Sequence, residues 1–152
     1  MLSPGSPIPA FSVKDQNGNT VSNKDLSGKK VVLFFYPKDN TPTCTRQACN
    51  LRDNIILLRK KGIAVFGVSM DSVRKHKNFE TKFSLPFPLL ADVDKQLVEA
   101  FGVWGEKVLF GLKYMGIFRT TFLINEEGVI EHVIDKVESK DHATQILNLW
   151  NM

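Results

Sequence analysis

What the chain lacks narrows its chemistry first. Only two cysteines, Cys44 and Cys49, occur in 152 residues. Two thiols do not make the disulfide framework of a small secreted domain, and they do not supply a four-ligand zinc site. The three histidines, His76, His132 and His142, stand at no metal-ligand spacing from them. Solvent-facing histidines, no metal and no cofactor are therefore expected. Long apolar runs are missing too: the longest, Val31 to Tyr36, is far short of the ~20 residues that span a bilayer. The segment Met1-Leu2-Ser3-Pro4-Gly5-Ser6-Pro7 has neither the basic start nor the apolar stretch of a secretory leader. The expected location is the cytoplasm, with no membrane partner. Repeats, low-complexity tracts and interdomain linkers are absent, so residues 1–152 are read as a single domain.

The charge balance adds little. Twenty Lys and Arg against sixteen Asp and Glu give a net charge of +4. The basic residues are scattered among acids, and the densest cluster, Arg59-Lys60-Lys61, falls where a helix should end, as the helix dipole favours. No nucleic-acid partner is expected.

Along the chain, Phe11-Ser12-Val13 and Thr20-Val21 flank Asn17-Gly18, a hairpin signal. Ser22 or Asn23 is placed to cap a short turn through Leu26. Val31 to Tyr36 reads as a strand buried on both faces. Ala48, Leu51, Ile55 and Leu58 recur at helical spacing, predicting one helix from about Thr43 to Lys61, closed by Gly62. Ile63 to Val68 is a second buried strand. Ser72 caps a helix to about Phe83, Phe87 to Leu90 is a short strand, and Asp94 caps a helix through Phe101. Gly102 to Gly116 shows no clear period and reads as a long loop, of the kind that often carries function. Phe118 to Ile124 and Val129 to Ile134 are strands joined by a turn, and Ser139 caps a last helix, Lys140 to Leu149. This order predicts an α/β, thioredoxin-like fold: a central mixed β-sheet flanked by helices, with an N-terminal β-hairpin extension.

The stretch Pro37-Lys38-Asp39-Asn40-Thr41-Pro42-Thr43-Cys44-Thr45-Arg46-Gln47-Ala48-Cys49 carries the chemistry. It follows a buried strand and opens a helix, so Cys44 falls at a helix N-terminus. Unpaired N–H groups and the helix dipole there favour an anion, and a thiol in that position is expected to ionise more readily. Cys44 therefore reads as a nucleophile. Thr41, one turn earlier, is suited to donate to the sulfur or to hold a substrate oxygen; equally, it is suited simply to cap the helix that Pro42 starts. Arg119, alone in an apolar stretch, either meets an anion or snorkels to water. The aromatics Phe83, Phe87, Phe101, Trp104, Phe110 and Phe118 either line an apolar mouth or fill the core.

Pro37-x-x-x-Thr41-x-x-Cys44 resembles the active-site signature of the peroxiredoxins. Cys49, five residues on, is similar to the second cysteine of their bacterioferritin comigratory protein, or peroxiredoxin Q, subfamily. Leu85-Pro86-Phe87-Pro88-Leu89-Leu90-Ala91-Asp92, Phe101-Gly102-Val103-Trp104-Gly105-Glu106-Lys107 and Tyr114 to Ile124 extend the resemblance over nearly the whole chain. It implies a peroxidase in which Cys44 is peroxidatic, Thr41 and Pro37 shape the loop, Arg119 supports the thiolate and the peroxide oxygens, and Cys49 resolves. The implied partners are a hydroperoxide and thioredoxin or a similar dithiol reductant; an intramolecular disulfide needs no second subunit, and a monomer is expected. Thr43 stands where relatives often carry glycine, and Gln47 where they usually carry glutamate. Geometry adds one condition. Residues five apart on an α-helix lie roughly 8–9 Å apart at Cα and point about 140° away from each other, whereas a disulfide needs about 7 Å or less. The first turns of the helix must unwind for Cys44 and Cys49 to join. A thioredoxin-type disulfide reductase, a redox sensor and a pair of inert core cysteines are the competing readings. Four residues between the cysteines, instead of two, argue against the first.

Overall fold

The computed structural model describes residues 1–152. Seven strands form one sheet in the order β2 (Thr20–Ser22), β1 (Ser12–Lys14), β5 (Leu89–Ala91), β4 (Ile63–Ser69), β3 (Lys30–Phe35), β8 (Thr120–Ile124), β9 (Ile130–Ile134). The β3–β4 and β4–β5 pairs are parallel; β8 runs antiparallel to β3, and β1 to β5. The mixed sheet and the N-terminal hairpin are as expected.

Strand β3 explains the two-layer core. Its residues alternate faces at period two. Val32, Phe34 and Tyr36 join one apolar cluster with Cys44, Leu51 and Ile146, while Val31, Leu33 and Phe35 join another with Phe101, Phe122 and Ile130. Helices α1 (Pro42–Asp53), α2 (Ile55–Lys60), α3 (Val73–Phe83) and α5 (His142–Leu149) supply residues to the first cluster, and α4 (Gln96–Ala100) to the second. Each fully buried Phe or Leu contributes about 1.5–3 kcal/mol.

Four local expectations are corrected. The single helix from Thr43 to Lys61 is two, interrupted at Asn54. There the side-chain amide donates to the Asn50 carbonyl at 2.8 Å, the local competition that makes Asn a poor helix-interior residue. The predicted loop, Gly102 to Gly116, is largely a separate two-stranded ribbon, β6 (Trp104–Leu109) with β7 (Leu112–Ile117). Its period was illegible because much of the ribbon is exposed on both faces. Asp94 and Ser139 do not cap; the carboxylate of buried Asp92 accepts from the Leu97 and Val98 amides at the start of α4, and Asp141 occupies the cap position of α5. Finally, His76 and His142 are wholly buried.

The far end of α1 is clasped. Asn50 Nδ2 donates to the Lys140 carbonyl and Asn50 Oδ1 accepts from the Ala143 amide, both at 2.8 Å. Arg52 donates to the Phe83 carbonyl at 2.7 Å. No helix is long and apolar enough to cross a membrane.

Candidate active site

Cys44 lies in the first turn of α1 and is only 2% exposed. Pro42 occupies the first helical position, where its missing N–H is no loss. The Thr43 and Cys44 amides have no intrahelical acceptor and no side-chain cap, so both remain free to donate. Thr41 is the cap residue by position only. Its hydroxyl donates to the Lys38 carbonyl at 2.9 Å, neither to the sulfur nor to the helix amides. Half-buried Pro37 links the end of β3 to this loop.

Arg119 is not inside a strand, as the sequence suggested. It lies in the connection between β7 and β8, one residue ahead of Thr120. From there its fork reaches two partners: Nη2 donates to Cys44 Sγ at 3.2 Å and Nη1 to Gln47 Oε1 at 2.8 Å. Gln47 lies one turn after Cys44 on the same helix face. Gln47 makes this bond to arginine through a neutral amide oxygen. The orientation is fixed by the guanidinium, which only donates. Gln47 Nε2 is then left buried with no partner. Lys107 of β6 stands nearby, donating to the Ile117 carbonyl. Burial first, and then the Arg119 guanidinium, push its ammonium below the ordinary range, while the Cys44 sulfur pulls the other way.

Cys49 is on the same helix, half-buried and unpaired. Burial pushes its thiol up, only partly offset by Arg52. The structure thus brings Cys44, Arg119 and Gln47 together and leaves Cys49 apart, on intact helix.

Two buried histidines were missed. His76 Nδ1 bonds Asp39 Oδ2 at 2.6 Å, and its Nε2–H donates to the Leu90 carbonyl at 3.0 Å. The Tyr36 hydroxyl donates to Asp39 Oδ1, and the Asp39 amide donates to Asp71 Oδ2 at 2.8 Å. Burial, then the neighbouring Asp39 carboxylate, hold the Tyr36 phenol well above its usual range, so it stays a donor. This network pins the active-site loop to the ends of β3 and β4 and to α3. Ligand atoms of Asp39, Asp71 and His76 lie within 4.8 Å of one another, as in a metal site, but hydrogen bonds from Tyr36, Ser69 and the Asp39 amide already engage the carboxylates. The only sequence signal was Asp39 in the loop and His76 at a helix position facing inward.

His142, at the start of α5, accepts from the Thr121 hydroxyl through Nε2 and donates from Nδ1 to Gln145 Oε1, both at 2.8 Å. Burial is the main cause that lowers it to about 4 from 6.5. Between these values the unfolded chain takes up a proton that the folded one refuses. The resulting stabilisation is full above about pH 6.5 and lost as pH falls toward about 4, some ~3 kcal/mol in all. Urea midpoints between pH ~7 and ~4.5 are expected to fall more steeply for the wild type than for His142→Gln, which has no proton to gain. Parallel curves would remove His142 as the cause.

A sequence profile of the AhpC/TSA family matches residues 4–133. The peroxiredoxin Bcp of Escherichia coli strain K12 is 47% identical over 147 residues, 97% of this chain and 94% of that protein. The chain belongs to the peroxiredoxin family. Its likeness is to the Bcp and Q branch of the peroxiredoxins. A Xylella fastidiosa peroxiredoxin Q variant superposes with a TM-score of 0.93 at 30% identity, covering 99% of this chain and 96% of that one. The Xanthomonas campestris bacterioferritin comigratory protein, solved as a trapped intermediate/ligand complex that bears on its alkyl peroxide reduction activity, gives 0.87 at 34% identity over 93% and 90%. This peroxiredoxin is a thiol-dependent peroxidase carrying two cysteines.

Proposed function

We infer that Cys44 is the peroxidatic nucleophile of a cycle that reduces hydrogen peroxide and organic hydroperoxides, with Cys49 as its resolving partner. The observation that carries this reading is the Arg119 guanidinium donating to a buried sulfur at an uncapped helix start. The Cys44 thiolate attacks the terminal peroxide oxygen; a sulfur–oxygen bond forms and the oxygen–oxygen bond breaks. The departing oxygen takes a proton and leaves as water or an alcohol. Arg119 and the free Thr43 and Cys44 amides stabilise the charge that moves onto that oxygen. The alkyl peroxide reduction activity of the Xanthomonas campestris protein supports organic substrates here as well.

Cys44 is left as a sulfenic acid. The Cys49 thiolate attacks its sulfur and hydroxide departs as water after protonation, forming the disulfide. A thioredoxin-type dithiol then reduces this bond by exchange and becomes a disulfide itself. Such recycling suits a reducing compartment, and a cytoplasmic location is part of the same reading. So are a single domain over residues 1–152, a monomer, and roles for Thr41 and Pro37 in shaping the loop.

A single-turnover experiment tests the reading. Reduced protein mixed with one equivalent of hydrogen peroxide should lose two hydrogens by intact mass and show a Cys44–Cys49 link by peptide mapping. Cys49→Ser should consume the first equivalent within about twofold of the wild-type rate and stall as the Cys44 sulfenic acid, which a second equivalent of peroxide should carry to sulfinic acid. An adduct on Cys49 with Cys44 untouched would overturn the assignment of roles.

A further inference from the structure

The β6–β7 ribbon leaves the sheet and ends in an apolar tip. Phe110 is 93% exposed and Leu112 73%, with Leu109 and Val108 also exposed beside them. Phe110 and Gly111 both have positive φ, 51° and 78°, the turn geometry in which Asn-Gly is preferred. A phenylalanine held in the left-handed region and given almost no contact is poor for folding. Local strain without a packing return points to function.

The ribbon has a polarity gradient aimed at the active site. Paired residues of an antiparallel ribbon share a face. Leu109 pairs with Leu112 at the tip, Lys107 with Tyr114 behind them, and Gly105 with Gly116 at the base. The Phe118 ring covers Gly105, where a Cβ would sit 2.6 Å from it. The next residue, Arg119, donates to Cys44. Apolar tip, then tyrosine and lysine, then the catalytic sulfur is the order of a membrane interface read from acyl chains to headgroups.

We propose that the β6–β7 tip inserts into the surface of anionic membranes and presents Cys44 to hydroperoxides of phospholipid acyl chains. The proposal rests on the peroxidase reading above. From Leu109 to Gly105 the strand advances ~14 Å, and interfacial segments enter a bilayer by ~5–10 Å, so Gly105 and the Phe118 ring over it stay at headgroup level, next to the arginine that holds the sulfur. A hydroperoxide on an acyl chain moves toward that level, because the polar group cannot hydrogen-bond among hydrocarbon. Lys113 flanks the tip with its side chain 74% exposed, 3.8 Å from Glu106, while Lys107 turns inward to the Ile117 carbonyl; the chain's net charge of +4 favours anionic headgroups. A second copy of the chain is a poorer occupant: one ribbon face, roughly 20 by 10 Å, is far below the ~800 Å² per partner of a stable dimer. The lack of a spanning run excludes crossing a bilayer; docking on its surface needs only a short apolar tip.

The test uses sedimentation with sucrose-loaded phosphatidylcholine–phosphatidylglycerol vesicles, with and without phospholipid hydroperoxide, and pure phosphatidylcholine vesicles for comparison. The reduced wild type should pellet with the anionic vesicles and consume their hydroperoxide. Phe110→Asn and, independently, Lys113→Glu should each weaken partition by about fivefold or more and slow vesicle turnover in step. Both should keep the wild-type rate with dissolved hydrogen peroxide, and Phe110→Asn should melt higher than wild type. A wild type that stays in the supernatant, variants that turn over vesicle hydroperoxide as fast as wild type, or a concentration-dependent dimer abolished by Phe110→Asn would each overturn the proposal. Failure with dissolved hydrogen peroxide would strike the peroxidase reading instead, since vesicle binding is measured separately.

Discussion

Arg119→Ala is expected to lower kcat/KM for hydrogen peroxide by about 10²–10³, the loss seen when one preorganised donor to a developing oxyanion is removed. The guanidinium donates to Cys44 Sγ at 3.2 Å; on the reading that Cys44 is peroxidatic, the same positive charge would also stand beside the oxygen that leaves. Arg119→Lys tests the fork. A lysine supplies one compact charge and cannot hold Cys44 and Gln47 in the same planar geometry, so about a tenfold loss is expected. Stopped-flow measurement of peroxide consumption under single-turnover conditions separates these variants. A rate constant for Arg119→Ala within twofold of wild type would remove the arginine from the reaction.

Asp39→Ala is expected to destabilise the fold by about 3–5 kcal/mol, because it strands the partners of a buried, hydrogen-bonded carboxylate. The Tyr36 hydroxyl and His76 Nδ1 both lose their bonds inside the core, where neither meets water. For a domain of this size that is a Tm lower by about 10–15 °C. Asp39→Asn keeps an acceptor and should lose less. A second readout marks the network's place in the active site. Asp39 is two residues before Thr41, so Asp39→Ala should also slow peroxide consumption at temperatures where the protein remains folded. A thermal transition unchanged from wild type would mean the network is dispensable.

The contrast between these two predictions shows what the sequence could disclose. Cys44, its loop and the helix behind it are local facts of spacing, and they were legible. So was β3, whose continuous apolar run can only be a strand covered on both faces. Arg119 was legible as an anomaly but not as a contact, because 75 residues separate it from Cys44 and only the β3–β8 pairing brings its connection to the thiol. His76 was misread as solvent-facing. Its partners come from β3's trailing loop and from β5, and nothing near His76 in the sequence announces them. The β6–β7 ribbon failed for a different reason: with few buried positions it shows no strict alternation, and Phe110-Gly111 does not look like a turn. Asn54 divides a helical pattern by a side-chain bond that hydrophobic periodicity does not register.

The clasp at Asn50 bears on which sulfur travels. On the two-cysteine reading, Cys44 and Cys49 meet only when helix between them melts. The residue after Cys49 is tied by two bonds to the head of α5, and Arg52 is moored to the Phe83 carbonyl. On that reading Cys49 would be the stationary post and Cys44 the swinging gate. Its latch is the pair of Arg119 bonds to Cys44 and Gln47, so the contact that readies the sulfur for peroxide is also the one that must let go before the enzyme can reset.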